Sequence, residues 1–121
     1  MSVAPANLVG MGLEWTGRHH SENGDFHDLS THTVCYETED TCYVLAGGNI
    51  VGEAGYTYRK LDDQVGIVIY RPNEYQGRTD VVLNAIFDFS EMTDRAVITS
   101  GGQPFAVAIG SLKSVPMPPR P

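Results

Sequence analysis

Apolar and polar residues alternate with a period of two along most of the chain, in short runs separated by glycine, proline and acidic turns. Successive side chains of a strand point to opposite faces, so such alternation marks half-buried β-strands. It predicts strands over 13–21, 26–36, 41–46, 55–61, 65–71, 79–89, 95–100 and 105–112. No window sustains the i, i+3, i+4, i+7 spacing of a long helix. Residues 5–12, with Pro5 at a first-turn position, are expected to form one short helix. Many short strands with turn signals between them predict an all-β, antiparallel barrel of about eight strands. The chain reads as a single domain over 1–121, with its core at about 8–112 and an extended proline-rich tail over 113–121.

The strongest local signal is Asn23-Gly24, the favoured pair for a type I′ hairpin turn. Centring the turn there makes paired positions sum to 47. Leu13, Trp15, Gly17 and His19 then share a face with Phe26, Asp28, Ser30, His32, Val34 and Tyr36. This face holds most of the large apolar groups and should look inward. It also sets His19 opposite Asp28, with His32, Trp15 and Tyr36 further along, an unusually polar interior. A tight hairpin around 37–40 would bring Cys35 opposite Cys42 and add Tyr43 and Leu45 to the inward set. A disulfide there would need suitable cross-strand geometry and an oxidising compartment. The third hairpin puts Tyr56 and Tyr58 on one face, with Thr57 and Arg59 on the other. The strand over 79–89 is apolar at Val81, Leu83, Ala85, Phe87 and Phe89, and mixed at Val82, Asn84, Ile86 and Asp88. The pattern leaves open which of its faces lines a lumen.

Eight Lys and Arg against fifteen Asp and Glu give a net charge of −7 over 121 residues. That field repels phosphate backbones and anionic membrane surfaces, which argues against nucleic-acid and membrane partners. No apolar run approaches a membrane span, and the N-terminal residues lack the pattern of a secretion signal. The expected compartment is the cytoplasm, where Cys35 and Cys42 would be thiols.

His19 with Asp28 is the best dyad in the sequence, because a carboxylate fixes the imidazole tautomer and raises its basicity. His32 and Tyr36 are candidates to orient a substrate oxygen or to serve as the acid partner. The competing reading is a structural hydrogen-bonded pair. His20 and His27 would be cross-strand neighbours, but only two ligands converge and no His-x-His or His-Glu-x-x-His spacing occurs, so no metal site is expected. Trp15, Tyr43, Tyr56, Tyr58, Tyr70, Arg71 and Asn84 complete the candidate ligand-binding set. For the tyrosines, ordinary strand packing is the competing explanation. Gly47–Gly52 lacks the Lys-Ser/Thr of a phosphate loop and is expected to be a flexible connection, able to act as a lid. Arg78, Asp80, Asp94 and Arg95 read as solvated charges near strand ends.

Several segments carry a family resemblance. They are Leu8-Val9-Gly10, Glu22-Asn23-Gly24, His32–Tyr36, Gly47–Gly52, Tyr56–Leu61, Gly66–Tyr70 and Ala85–Phe89. In order and spacing over about 8–112, the chain resembles the calycin (lipocalin-like) β-barrels of the MoaF-like and phenolic-acid-decarboxylase-like group. The resemblance implies an antiparallel barrel with a central cavity for a small organic molecule, often as a dimer. Decarboxylase chemistry does not carry over. The first strand, Leu13–His20, lacks the paired tyrosines, and Glu37 stands where the arginine would follow Tyr36. Two classes stay open: a cofactor-independent acid–base enzyme of lyase, isomerase or cyclase type acting on a small aromatic or conjugated compound, and a non-catalytic carrier of a small hydrophobic ligand. A homodimer is expected in either case.

Overall fold

The computed structural model describes residues 3–21, 29–75 and 77–121. Eight strands follow one another around a closed antiparallel barrel: β1 (Met11–Ser21), β2 (Ser30–Tyr36), β3 (Thr41–Ala46), β4 (Asn49–Lys60), β5 (Val65–Pro72), β6 (Val81–Asp88), β7 (Thr93–Ser100) and β8 (Gln103–Pro116). Each strand pairs with its sequence neighbours, and β8 returns to β1 along Met11–Ser21. Closure leaves no unpaired edge, which is how a small meander avoids edge-to-edge association. The described residues contain no helix: where a short helix is expected over 5–12, residues 5–10 are turns and irregular chain, and Met11 and Gly12 already belong to β1.

Paired positions of β1 and β2 sum to 47, from Gly12 with Cys35 to Gly17 with Ser30. That is the register implied by an Asn23-Gly24 turn; the turn itself lies outside the described residues. In β2–β3 the register is one residue away from the tight hairpin. Cys35 pairs with Tyr43 and Tyr36 with Cys42. A one-residue shift reverses every side chain of a strand. Cys42 therefore faces inward. Tyr43 and Leu45 do not join the inward set but form an outer cluster with Cys35, Ile50 and Met117. Both cysteines are free thiols on opposite faces of the sheet.

Gly47 and Gly48 (φ 60° and 82°) make a two-residue turn directly between Ala46 and Asn49, and Gly101 and Gly102 (φ 58° and 80°) repeat the device between β7 and β8. Positive φ at both central residues is what a type I′ turn requires. The glycine-rich stretch is thus a tight turn leading into β4, and it leaves no loop long enough for a lid. Val44 pairs with Gly52 and Leu45 with Ile50, so Val51 is the extra residue of a bulge.

One end of the barrel is closed by its own N-terminal segment. Val3 and Ala4 donate backbone hydrogen bonds to the Asp63 carbonyl, both at 2.9 Å. The Tyr58 hydroxyl donates to the Pro5 carbonyl at 2.7 Å, and Leu8 has no exposed surface. The tail is also packed, contrary to the loose end expected. Arg120 forks onto Glu37 and contacts Glu53 at 3.0 Å, with its guanidinium 4.5 Å from the Tyr43 ring centre. No helix among the described residues is long and apolar enough to cross a membrane.

Candidate functional site

The inward residues of all eight strands enclose a cavity of about 520 Å³, inside the range of small-molecule sites. Its walls are apolar: Leu13 and Val34 from β1 and β2, Leu83, Ala85 and Phe87 from β6, Ala96 from β7, and Ala108 and Leu112 from β8. The end opposite the N-terminal segment is rimmed by His19, Ser30, His32, Val51, Pro72, Glu74 and Tyr75.

Trp15 is the largest group in this wall, and two glycines make room for it. A Cβ on Gly110 would stand 2.5 Å from Cε2 of the indole, and one on Gly17 would stand 2.8 Å from its Cζ2. The Nε1–Cε2–Cζ2 side of the indole sits against these bare stretches of β1 and β8. Both histidines pack on its other parts: His32 is stacked at 4.9 Å between ring centres and His19 is tilted at 5.1 Å. Burial among apolar groups disfavours the imidazolium. It lowers His32 to about 4, with His19 adding repulsion, and lowers His19 in the same direction, with His20 adding repulsion. Both rings are therefore neutral at pH 7.

Deeper in the lumen Tyr36, with no exposed surface, shares a short hydroxyl–hydroxyl hydrogen bond with Tyr70. The Tyr36 ring meets Tyr56 edge-on at 5.1 Å. Burial pushes both paired phenols well above the usual tyrosine range, so they remain protonated donors. Nearby stands Asp94, 7% exposed and facing inward from β7 between Phe87 and Gly110 of the flanking strands. Removal from water pushes its carboxyl up to about 7. The Trp15 indole N–H draws it back down, yet the two fall short of hydrogen-bond geometry. Trp15 Nε1 and Asp94 Oδ1 are both buried without a partner in the protein.

Of the candidates read from the sequence, Trp15, His19, His32, Tyr36 and Tyr70 line the cavity. Asp28 and His27 lie outside the described residues, so the His19–Asp28 and His20–His27 pairings do too. Tyr43 sits on the outer face, donating to the Pro118 carbonyl at 3.2 Å beneath the tail, for the register reason given above. Asn84 also points outward, reaching the Val97 carbonyl at 3.3 Å, because the odd-numbered residues of β6 are the inward ones. Arg71 is exposed and donates to Thr57 Oγ1 at 2.8 Å on the outside of β5. Tyr56 and Tyr58 face inward but are committed to the closed end, where their hydroxyls donate to the Thr38 and Pro5 carbonyls. Among the described residues, no three potential ligands come together for a metal.

Asp94 is the residue sequence reading missed. Its place beside Arg95 at the start of a strand resembles a solvated charge. The available signal was parity: Asp94 shares a strand face with Ala96 and Ile98, the apolar side of β7.

With this geometry in view, comparison with known proteins adds the fold alone. No family model matches the chain, and no curated protein does. A crystal structure of a suspected β-lactamase from Burkholderia vietnamiensis superposes with a TM-score of 0.59 and 18% identity, over 89% of this chain and 95% of that one. The shared feature is the barrel.

Proposed function

We propose that this barrel is an acid–base enzyme of lyase, isomerase or cyclase type, acting on a small aromatic or conjugated compound held in its lumen. The observation that carries the reading is Asp94. A carboxyl poised near pH 7 inside an apolar-walled cavity is suited to taking up and returning a proton at physiological pH. In this scheme the substrate lies against the Trp15 indole. Asp94 exchanges a proton with it, and the Tyr36–Tyr70 hydroxyl pair donates a hydrogen bond to oxygen on which negative charge builds. Neutral His19 and His32 at the mouth orient polar groups of the substrate. No cofactor enters the scheme. The finer family likeness, to the MoaF-like and phenolic-acid-decarboxylase-like barrels, is part of this proposal, as are a cytoplasmic setting and a homodimer. An outward apolar strip of Ile86, Val97, Val107 and Ile109 on β6–β8 supports the dimer.

The test is a substrate-independent search for proton transfer. A panel of small aromatic and conjugated carbonyl compounds is incubated with the protein in D₂O and followed by proton NMR. Conversion, or loss of carbon-bound protons, that disappears in Asp94→Asn supports the enzyme. Binding that shifts the Trp15 indole resonance without turnover would instead make the protein a carrier.

A further inference from the structure

The lumen holds two buried polar atoms without a hydrogen-bond partner in the protein, a donor, Trp15 Nε1–H, and an acceptor, Asp94 Oδ1, near enough to each other for the indole to act on the carboxyl. Trp15 is 4% exposed and Asp94 7%, and both line the cavity. Leaving a buried donor or acceptor unmatched is costly, so such a pair marks what a bound molecule must offer. The matching edge carries an acceptor for the indole N–H next to a donor for the carboxyl oxygen.

Charge narrows the choice. The cavity lining includes Glu53, Glu74 and Asp94 and, among the described residues, neither lysine nor arginine. A carboxylate or phosphate would enter with no countercharge in a chain of net charge −7. A cation with only N–H groups to offer would leave the indole donor unmatched. Shape narrows it again, since the planar indole, seated against Gly17 and Gly110, lines the lumen together with the apolar β6 side chains Leu83, Ala85 and Phe87, and a flat molecule packs best on such a ring.

We infer that the Trp15–Asp94 pair recognises a neutral, flat molecule presenting a carbonyl oxygen beside an N–H, as in a cyclic amide. The carbonyl accepts from Trp15 Nε1–H, and its neighbouring N–H donates to Asp94 Oδ1. This rests on the lumen reading above and adds the substrate class to it.

Three probes separate the ideas: 2-quinolone, its N-methyl derivative, which lacks the donor, and 2-naphthoate, which is anionic. Calorimetry gives the affinities, and the indole N–H resonance of the single tryptophan reports contact in the lumen. Expected is 2-quinolone binding about tenfold more tightly than either other probe, with a downfield indole shift. Asp94→Asn, which cannot transfer protons but still presents an amide acceptor and donor, should keep that preference. Asp94→Leu should lose it. Equal affinity of 2-quinolone and N-methylquinolone, or tighter 2-naphthoate, would overturn the inference while leaving a ligand-binding lumen. Failure of all three probes to move the indole resonance would overturn the lumen reading, and the inference with it.

Discussion

Asp94→Asn should stabilise the protein at alkaline pH and change it little near pH 4. The side chains are nearly isosteric, so the substitution removes ionisation and little else. The carboxyl's ordinary value is 3.8 and burial raises it to about 7. A group with a raised folded pKa binds its proton more tightly in the native state. Its stability contribution is therefore complete below pH 3.8 and is lost as pH rises through 7. At 1.36 kcal/mol per unit, the full swing is roughly 4 kcal/mol. Between pH 5 and pH 8, where measurement is convenient, it is about 2.5 kcal/mol. That is a large part of the roughly 5–15 kcal/mol that holds a domain together. The assay is urea unfolding of both proteins at the two pH values. With an m-value of about 2 kcal/mol/M, the gap between their midpoints should widen by roughly 1 M at pH 8. The double difference cancels every other titrating group. A gap that stays constant with pH would refute the reasoning, because it would mean the carboxyl ionises as readily in the fold as outside it.

The histidines act in the opposite direction. His32, lowered from 6.5 to about 4, contributes stability above pH 6.5 that is lost as pH falls toward 4, so His32→Phe should flatten the acid limb by up to about 3 kcal/mol in the same unfolding experiment. Tyr36→Phe or Tyr70→Phe alone leaves a buried hydroxyl without its partner and should cost about 1–3 kcal/mol. The double variant should cost clearly less than the two combined, which a double-mutant cycle measures. Gly110→Ala places a methyl against the Trp15 indole and should destabilise by about 1–3 kcal/mol, with a shifted tryptophan emission maximum. Removing residues 117–121 uncovers the cluster over Cys35, so its reaction with a thiol reagent should become faster than in the full chain.

The fold was legible because alternation in this chain is clean and its turn chemistry is local. Thr41–Ala46 was placed to the residue, and the register of β1 against β2 came from a single dipeptide. The sidedness of β3 was not legible. Its register hangs on the four-residue connection over 37–40, and a slip of one residue carried Tyr43 and Leu45 to the outer face. Glycine content misled at 47–52, where two glycines make a tight turn and the rest is strand. The site was half visible. Trp15, His19, His32 and Tyr36 follow from one hairpin face, whereas Tyr70 and Asp94 join them only when the barrel closes. Asp94 stayed hidden because a carboxylate next to an arginine carries no local sign of burial. Only the position of β6 and β8 on either side removes it from water.

The central claim is that a proton-exchanging carboxyl sits inside the barrel. The most direct test is a carbon-13 NMR titration of the Asp94 side-chain carboxyl from pH 3 to pH 9. The account predicts a midpoint near 7, far above the ordinary carboxylate value of 3.8. A midpoint near 4 would contradict it, for Asp94 would then be permanently charged at neutral pH, leaving the lumen without its acid–base group.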